Sequence, residues 1–154
     1  MAKALVTYYS RSSNTEKMAQ VISDELSSKG IDTDLKKVSD VPVKSLLDYD
    51  AIIIGSPTYY GSMAWQIKKL IDESVILHGQ LKGKIGGAFS SAANIGGGNE
   101  TTINDILNAM LIHGMIIQGE PKGDHYGPIS IGSPDKRAIE CCSRLAENIA
   151  GLLK

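Results

Sequence analysis

The sequence predicts an α/β fold built on a parallel sheet, and three observations carry that expectation. Apolar runs rich in β-branched residues alternate with stretches at helical spacing along the chain. One run, Ala51 to Ile54, is apolar throughout, as a strand buried on both faces of a parallel sheet should be. The runs that end at Tyr9, Ile54 and Phe89 each lead into a segment of small hydroxyl residues and glycines, which break regular structure.

The elements follow in order. The first strand is Ala4 to Tyr9, and the helix after it places Ala19, Ile22 and Leu26 on one face before Gly30 stops it. Ile31 to Val38 is half polar and suits a sheet edge, and Val41 to Leu47 reads as a short helix or turn. The central strand Ala51 to Ile54 is ended by Gly55, Ser56 and Pro57. A second helix sets Ala64, Ile67, Ile71 and Val75 inward and Lys68, Lys69, Asp72 and Glu73 toward water. Lys84 to Phe89 is the next strand, followed by a helix with Ile103, Ile106, Leu107, Met110 and Leu111 on a broad apolar face, ending at Gly114. Met115 to Gln118 and Ile129 to Ile131 read as two halves of one interrupted strand, separated by Gly119 to Gly127. Pro134 opens a last helix with Ala138, Cys142, Leu145, Ile149 and Leu152 inward. Five strands and four long helices result, with no repeat or linker to divide residues 1–154, so one domain is expected.

Composition narrows the function. Sixteen Lys and Arg oppose 17 Asp and Glu, a net charge of −1, which gives no basic footprint for nucleic acid. No run approaches the ~20 apolar residues a membrane helix needs, and the N-terminus enters a strand pattern at once, without an export signal. Cys141 and Cys142 are adjacent, a poor geometry for an internal bridge and too few ligands for a metal site. A reducing cytoplasm is the expected home. On the last helix Cys142 falls on the apolar face with Cys141 beside it, which favours buried structural thiols over redox signalling.

In an open parallel sheet the ligand crevice lies outside the carboxyl ends of the strands. Ser10, Ser12, Ser13, Asn14 and Thr15 crowd into the first strand-to-helix turn, where free N–H groups and the positive helix end favour an anion such as phosphate. A capping box formed by Ser13 and Glu16 would use the same donors for helix stability alone, but it accounts for one hydroxyl of the four. The turn lacks both the GxxxxGKS/T of a P-loop and the GxGxxG of a dinucleotide fold. Tyr59 and Tyr60 follow Pro57 and Thr58 in a chain with only eight aromatic residues, and they offer faces to a flat ring; packing beneath the loop is the plainer alternative. Gly61 permits a turn toward a ligand there. Ser90, Ser91, Asn94 and Gly96, Gly97 and Gly98 form a third ending where backbone can approach a ligand edge, unless the loop is merely flexible.

Together these endings resemble the flavodoxin-like flavoproteins over nearly the whole chain. SRSSNT (residues 10–15) occupies the place of the short-chain flavodoxin pattern T/SxTGNT, with Ser13 in place of its glycine. GSPTYYGSMAWQIKKLID (55–72) resembles the GTPTxFGxMxxQM segment of the tryptophan-repressor-binding-protein type NAD(P)H:quinone reductases, and GKIGGAFSSAANIGGGNETTI followed by HGMII is similar to the same group. The resemblance implies a three-layer sandwich with strand order 2-1-3-4-5 and one noncovalently bound FMN. It puts Ser10, Arg11, Ser12, Ser13, Asn14 and Thr15 at the FMN phosphate. Pro57, Thr58, Tyr59, Tyr60 and Gly61 would border one side of the ring, and Ser90, Ser91, Ala92, Asn94 and Gly96 the other. It also matches His113 to a catalytic-site histidine close to the flavin; a helix-end histidine facing the last carbonyls is the alternative.

The implied function is electron carriage between a reductase and an acceptor, with NAD(P)H:quinone reduction as the second reading. The implied partners are a redox protein, or NAD(P)H and a quinone, with a homo-oligomer left open. Only Val38 to Asp50 separates the second and third strands, where the quinone reductases carry an additional segment. Ordinary flavodoxins are strongly acidic; a net charge of −1 predicts weaker repulsion of electrons from the ring and so no extreme low potential. A response-regulator receiver is excluded because Tyr9-Ser10 and Gly55-Ser56 stand where its acidic residues would be, and a low-molecular-weight phosphatase because the first loop has no cysteine. A cofactor-free interaction domain would be colourless where the flavoprotein is yellow.

Overall fold

The computed structural model describes residues Met1–Lys154. Its strands are β1 (Lys3–Tyr8), β2 (Asp32–Lys37), β3 (Ala51–Tyr59), β4 (Ser62–Met63), β5 (Ile85–Ala92), β6 (Ile116–Ile117) and β7 (Ile129–Ile131). Its long helices are α1 (Asn14–Ser28), α2 (Trp65–Glu73), α3 (Asn99–Ile112) and α4 (Lys136–Leu152), with short 3-10 turns at Val38–Asp40, Val43–Asp48 and Ser74–Leu77. The strands run β2-β1-β3-β5-β6, with β7 also on β5, and all of these pairings are parallel. Since β6 and β7 pair with opposite ends of β5, they are the two halves of one interrupted strand, and the expected order holds.

Residue alternation along each strand builds the three layers. Leu5, Ile52 and Ile54 face one side and pack with Ile67 and Leu70 of α2 and Ile103, Ile106 and Met110 of α3. Ala4, Val6 and Ile53 face the other and pack with Met18, Ile22 and Leu26 of α1 and Cys142, Ala146 and Ile149 of α4. Both cysteines are buried and free.

Three expectations are corrected. Gly55, Ser56 and Pro57 do not end the central strand: β3 runs on to Tyr59, and β5 likewise runs past Phe89 to Ala92, paired through Ser56–Ser90 and Pro57–Ser91. A proline is tolerated because the last β1 partner of β3 is Gly55, so Pro57 has no ladder to lose on that side. Val75 is 69% exposed, because α2 stops at Glu73 and the tighter 3-10 turn rotates Leu77 inward in its place. Leu111 and Leu152, at 57% and 41% exposure, fall outside the strips that α3 and α4 press onto the sheet.

Candidate functional site

Three loops leave the carboxyl ends of β1, β3 and β5 side by side. In the first, the backbone N–H groups of Arg11 to Thr15 find no acceptor within the chain. They lie at the start of α1, where the helix leaves its own donors unpaired and the dipole is positive. Ser13 is left-handed, with φ 67° and ψ 3°, which turns successive N–H groups into an anion-binding concavity and explains why a related pattern prefers glycine there. The capping box is not formed. Ser13 makes no side-chain cap, and the Glu16 carboxylate instead accepts the Tyr8 hydroxyl at 2.7 Å. Burial, together with that bond, pushes the Tyr8 phenol up to about 12. Ser10 Oγ accepts from the Glu16 N–H at 3.4 Å. Arg11, Ser12 and Ser13 are exposed and Asn14 is half-buried.

The second loop is a hairpin. Thr58 pairs with Met63 and Tyr59 with Ser62, leaving Tyr60 and Gly61 as a two-residue turn with φ 50° and 76°. Positive φ at both positions defines the type I′ turn that suits strand twist, and it holds Tyr60 fully exposed at the tip. Tyr59 meets the Tyr9 ring edge-on, with centroids 6.4 Å apart, and burial raises its phenol. Ser56 Oγ accepts from Ala64 N–H at 2.8 Å, which fixes the entry into α2.

The third loop runs from Ala92 to Gly98, with Asn94 and Gly96 exposed and Gly97 N–H returning to the Asn94 carbonyl at 3.2 Å. Gly98 caps α3 at φ 105° and lies so close to the second loop that a Cβ there would stand 2.6 Å from Gly61 Cα.

Hydroxyl pairs tie the three loops together beneath the surface. Thr15 and Ser91 share a buried hydrogen bond of 2.9 Å joining α1 to β5, and Thr58 and Ser90 share one of 2.9 Å joining β3 to β5. Thr102 Oγ1 donates to Thr58 Oγ1 at 3.2 Å, and the Thr101 hydroxyl donates to the Gly61 carbonyl. Thr101 and Thr102 were not singled out by sequence reasoning. The hydroxyl pair just after the glycine run was the available signal. Buried Asn99 Nδ2, at the start of α3, has no partner.

His113 is not brought to this site. It caps the far end of α3, and 14 residues of helix carry it about 20 Å from Gly98, toward the amino ends of the strands. Its Nε2 lies 2.8 Å from Ser74 Oγ, whose own proton goes to the Ile71 carbonyl. Nε2 therefore carries the proton and Nδ1 is left buried without a partner. Burial, with a smaller contribution from His78, lowers its pKa. It is a helix-end histidine, held by a serine of the preceding helix end rather than by the last carbonyls.

A doubly wound sheet with an anion-receptive helix start and aromatic loops at adjacent strand tips is the arrangement of the flavodoxin-like class. Residues 6–109 match the family model described as Flavodoxin, and the chain belongs to that family. It is 38% identical over 143 residues, 79% of this chain and 72% of the relative, to an NAD(P)H dehydrogenase (quinone) of Sinorhizobium fredii (strain NBRC 101917 / NGR234). It is 34% identical to a flavodoxin of Aquifex aeolicus (strain VF5), covering 97% of this chain and 86% of the relative. A solved flavodoxin from the domain Archaea superposes with a TM-score of 0.81 at 30% identity, covering 98% of both chains. Family membership makes this a flavodoxin-like redox protein and implies a flavin cofactor. No helix is long and apolar enough to cross a membrane.

Proposed function

We propose that the flavin is FMN, held at the three strand tips, and that the chain carries electrons between a reductase and an acceptor. The observation that carries the reading is the unbroken run of acceptor-less N–H groups from Arg11 to Thr15 at a helix start, a fit for a phosphate dianion. Ser10, Ser12, Ser13 and Asn14 add polar groups around it and Arg11 adds charge. Thr15 has its hydroxyl committed to Ser91, so it contributes through its N–H.

Pro57, Thr58, Tyr59, Tyr60 and Gly61 border one side of the ring; Ser90, Ser91, Ala92, Asn94 and Gly96 border the other. The Ser90 and Ser91 hydroxyls are engaged with Thr58 and Thr15, and their backbone lies between β3 and β7, so these two serines border the ring by positioning the loops around it. Bound there, FMN supplies the electron chemistry, while the tyrosines exclude water and the loop amides orient the ring. His113, at the other end of α3, has no contact with the ring of its own chain in this reading.

Stripped protein titrated with FMN should quench the flavin fluorescence saturably. Glutamates in place of both Ser12 and Asn14 should abolish uptake, because two carboxylates would face the phosphate; unchanged affinity rejects the placement. The 38% identity to an NAD(P)H dehydrogenase (quinone) favours a second reading, NAD(P)H:quinone reduction. Steady NAD(P)H oxidation with benzoquinone selects the enzyme; reduction only through a partner reductase selects the carrier.

A further inference from the structure

A cavity of about 320 Å³ lies between the end of β1, the turn after β2 and the first turns of α2. No residue of the second or third loop lines it, and it meets the first loop at Tyr9 and Ser10, so it lies beside the ring cleft, on its β2 side. Val38, Val41 and Leu70 make it apolar, and Tyr9 and Trp65 add aromatic surface. Lys37 and Lys69 supply positive charge. Glu73, also on the wall, lies 3.8 Å from Lys69 and offsets it, whereas Lys37 has no ion pair. Gln66 lines the same space, and its Oε1 is buried without a hydrogen-bond partner.

We propose that this cavity is a second ligand site whose ligand is an adenosine phosphate. Each part of such a ligand has its counterpart. Trp65 offers an aromatic face to the base. Gln66 Oε1 lacks a donor, and the exocyclic amine of adenine is one; glutamine and adenine match edge to edge in this way elsewhere. Lys37 is the uncompensated cation for the phosphate. A quinone fits less well, because its carbonyls would present acceptors to the Gln66 acceptor and bring no negative charge to Lys37. The volume is at the lower end of small-molecule sites, enough for a nucleoside and not for a whole dinucleotide. In the quinone-reductase reading, on which only the choice of physiological ligand rests, the site takes the non-reacting adenosine end of NAD(P)H.

Trp65 is the sole tryptophan and is 68% exposed, so its fluorescence reports occupancy without turnover. Flavin-loaded protein is titrated with ADP, inorganic phosphate and nicotinamide mononucleotide in parallel. ADP should change the Trp65 emission saturably while the other two leave it unmoved. Lys37→Glu and Gln66→Leu should each weaken ADP by roughly tenfold or more, the scale of one charge-assisted or buried hydrogen bond, with flavin retention unchanged. No saturable response to ADP overturns the proposal, as does an equal response to phosphate or to the nicotinamide nucleotide, or variants that bind ADP as the parent does. NAD(P)H oxidation with benzoquinone is measured separately. Turnover with a silent Trp65 rejects this site and keeps the enzymatic reading, whereas an ADP response without turnover does the reverse.

Discussion

Replacing Gly98 by alanine should force apart the second and third loops, between which the ring is proposed to lie. At φ 105° an L residue costs about 1–2 kcal/mol in backbone strain. The new Cβ would lie 2.6 Å from Gly61 Cα, against an ordinary carbon separation of about 3.5–4.0 Å, so one loop must retreat by about 1 Å. The Thr101 bond to the Gly61 carbonyl and the Thr102–Thr58 bond span that gap, and breaking one adds about 0.5–1.5 kcal/mol. The total is about 1.5–3.5 kcal/mol. Urea unfolding of the flavin-free protein measures how much appears as lost stability, and fluorescence titration measures how much appears as lost FMN affinity, at about 1.4 kcal/mol per tenfold. Riboflavin should weaken by the same factor as FMN, because the phosphate loop is untouched. Gly96→Ala is the control: it shares a positive φ, 69°, but its Cβ meets nothing within 4 Å, so it should show the strain without the collision. Equal losses in the two variants, with FMN affinity unchanged in both, would refute the coupling of the second and third loops.

Thr15→Val should cost about 1–3 kcal/mol by leaving the buried Ser91 hydroxyl unpaired, and adding Ser91→Ala should recover part of that loss in urea melts; strict additivity would mean the hydroxyl pair does not tie α1 to β5. Because the His113 pKa is lowered by burial, the unfolded chain takes up a proton below about pH 6.5 that the folded chain resists, so stability should fall as the pH drops through that value. Thermal melts from neutral to mildly acidic pH check this, and His113→Gln should flatten the decline. Burial pushes the Cys142 thiol up to about 12 and also raises that of Cys141, so a thiol reagent should label native protein slowly at both and denatured protein quickly; rapid native labelling would contradict the packing of α4.

The periodicities of the chain determine most of the fold. The short, β-branched apolar run Ala51 to Ile54, flanked by Gly55 and Pro57, reads as an interior strand, and the helical spacing of Ile103, Ile106 and Met110 names the face of α3 that meets the sheet. The split last strand was legible because two short β-branched runs flank a polar insert. The three strand-end loops were likewise legible as a group, since hydroxyl, glycine and tyrosine residues cluster there in the sequence.

What the sequence could not settle is where each side chain spends its hydrogen bonds and how far a strand runs. Breaker residues at Gly55 and Pro57 suggested an end, yet pairing with β5 carries β3 to Tyr59, because ladder partners are set by a segment distant in the chain. Ser13 and Glu16 matched a capping box, but Glu16 found Tyr8 on the neighbouring strand. Ser90 and Ser91 stand at a strand tip where a ligand is expected, and their hydroxyls bond to Thr58 and Thr15, partners that no local pattern reveals. His113 lies beside Gly114 at the end of a motif similar to flavin-contacting relatives, but α3 runs antiparallel to the strands and carries it away from the tips. Local pattern fixes the type of an element and the face it buries, because those depend on neighbours three or four residues away. Pairing, bracing and distance depend on which remote residues arrive alongside, and only the assembled sheet decides that.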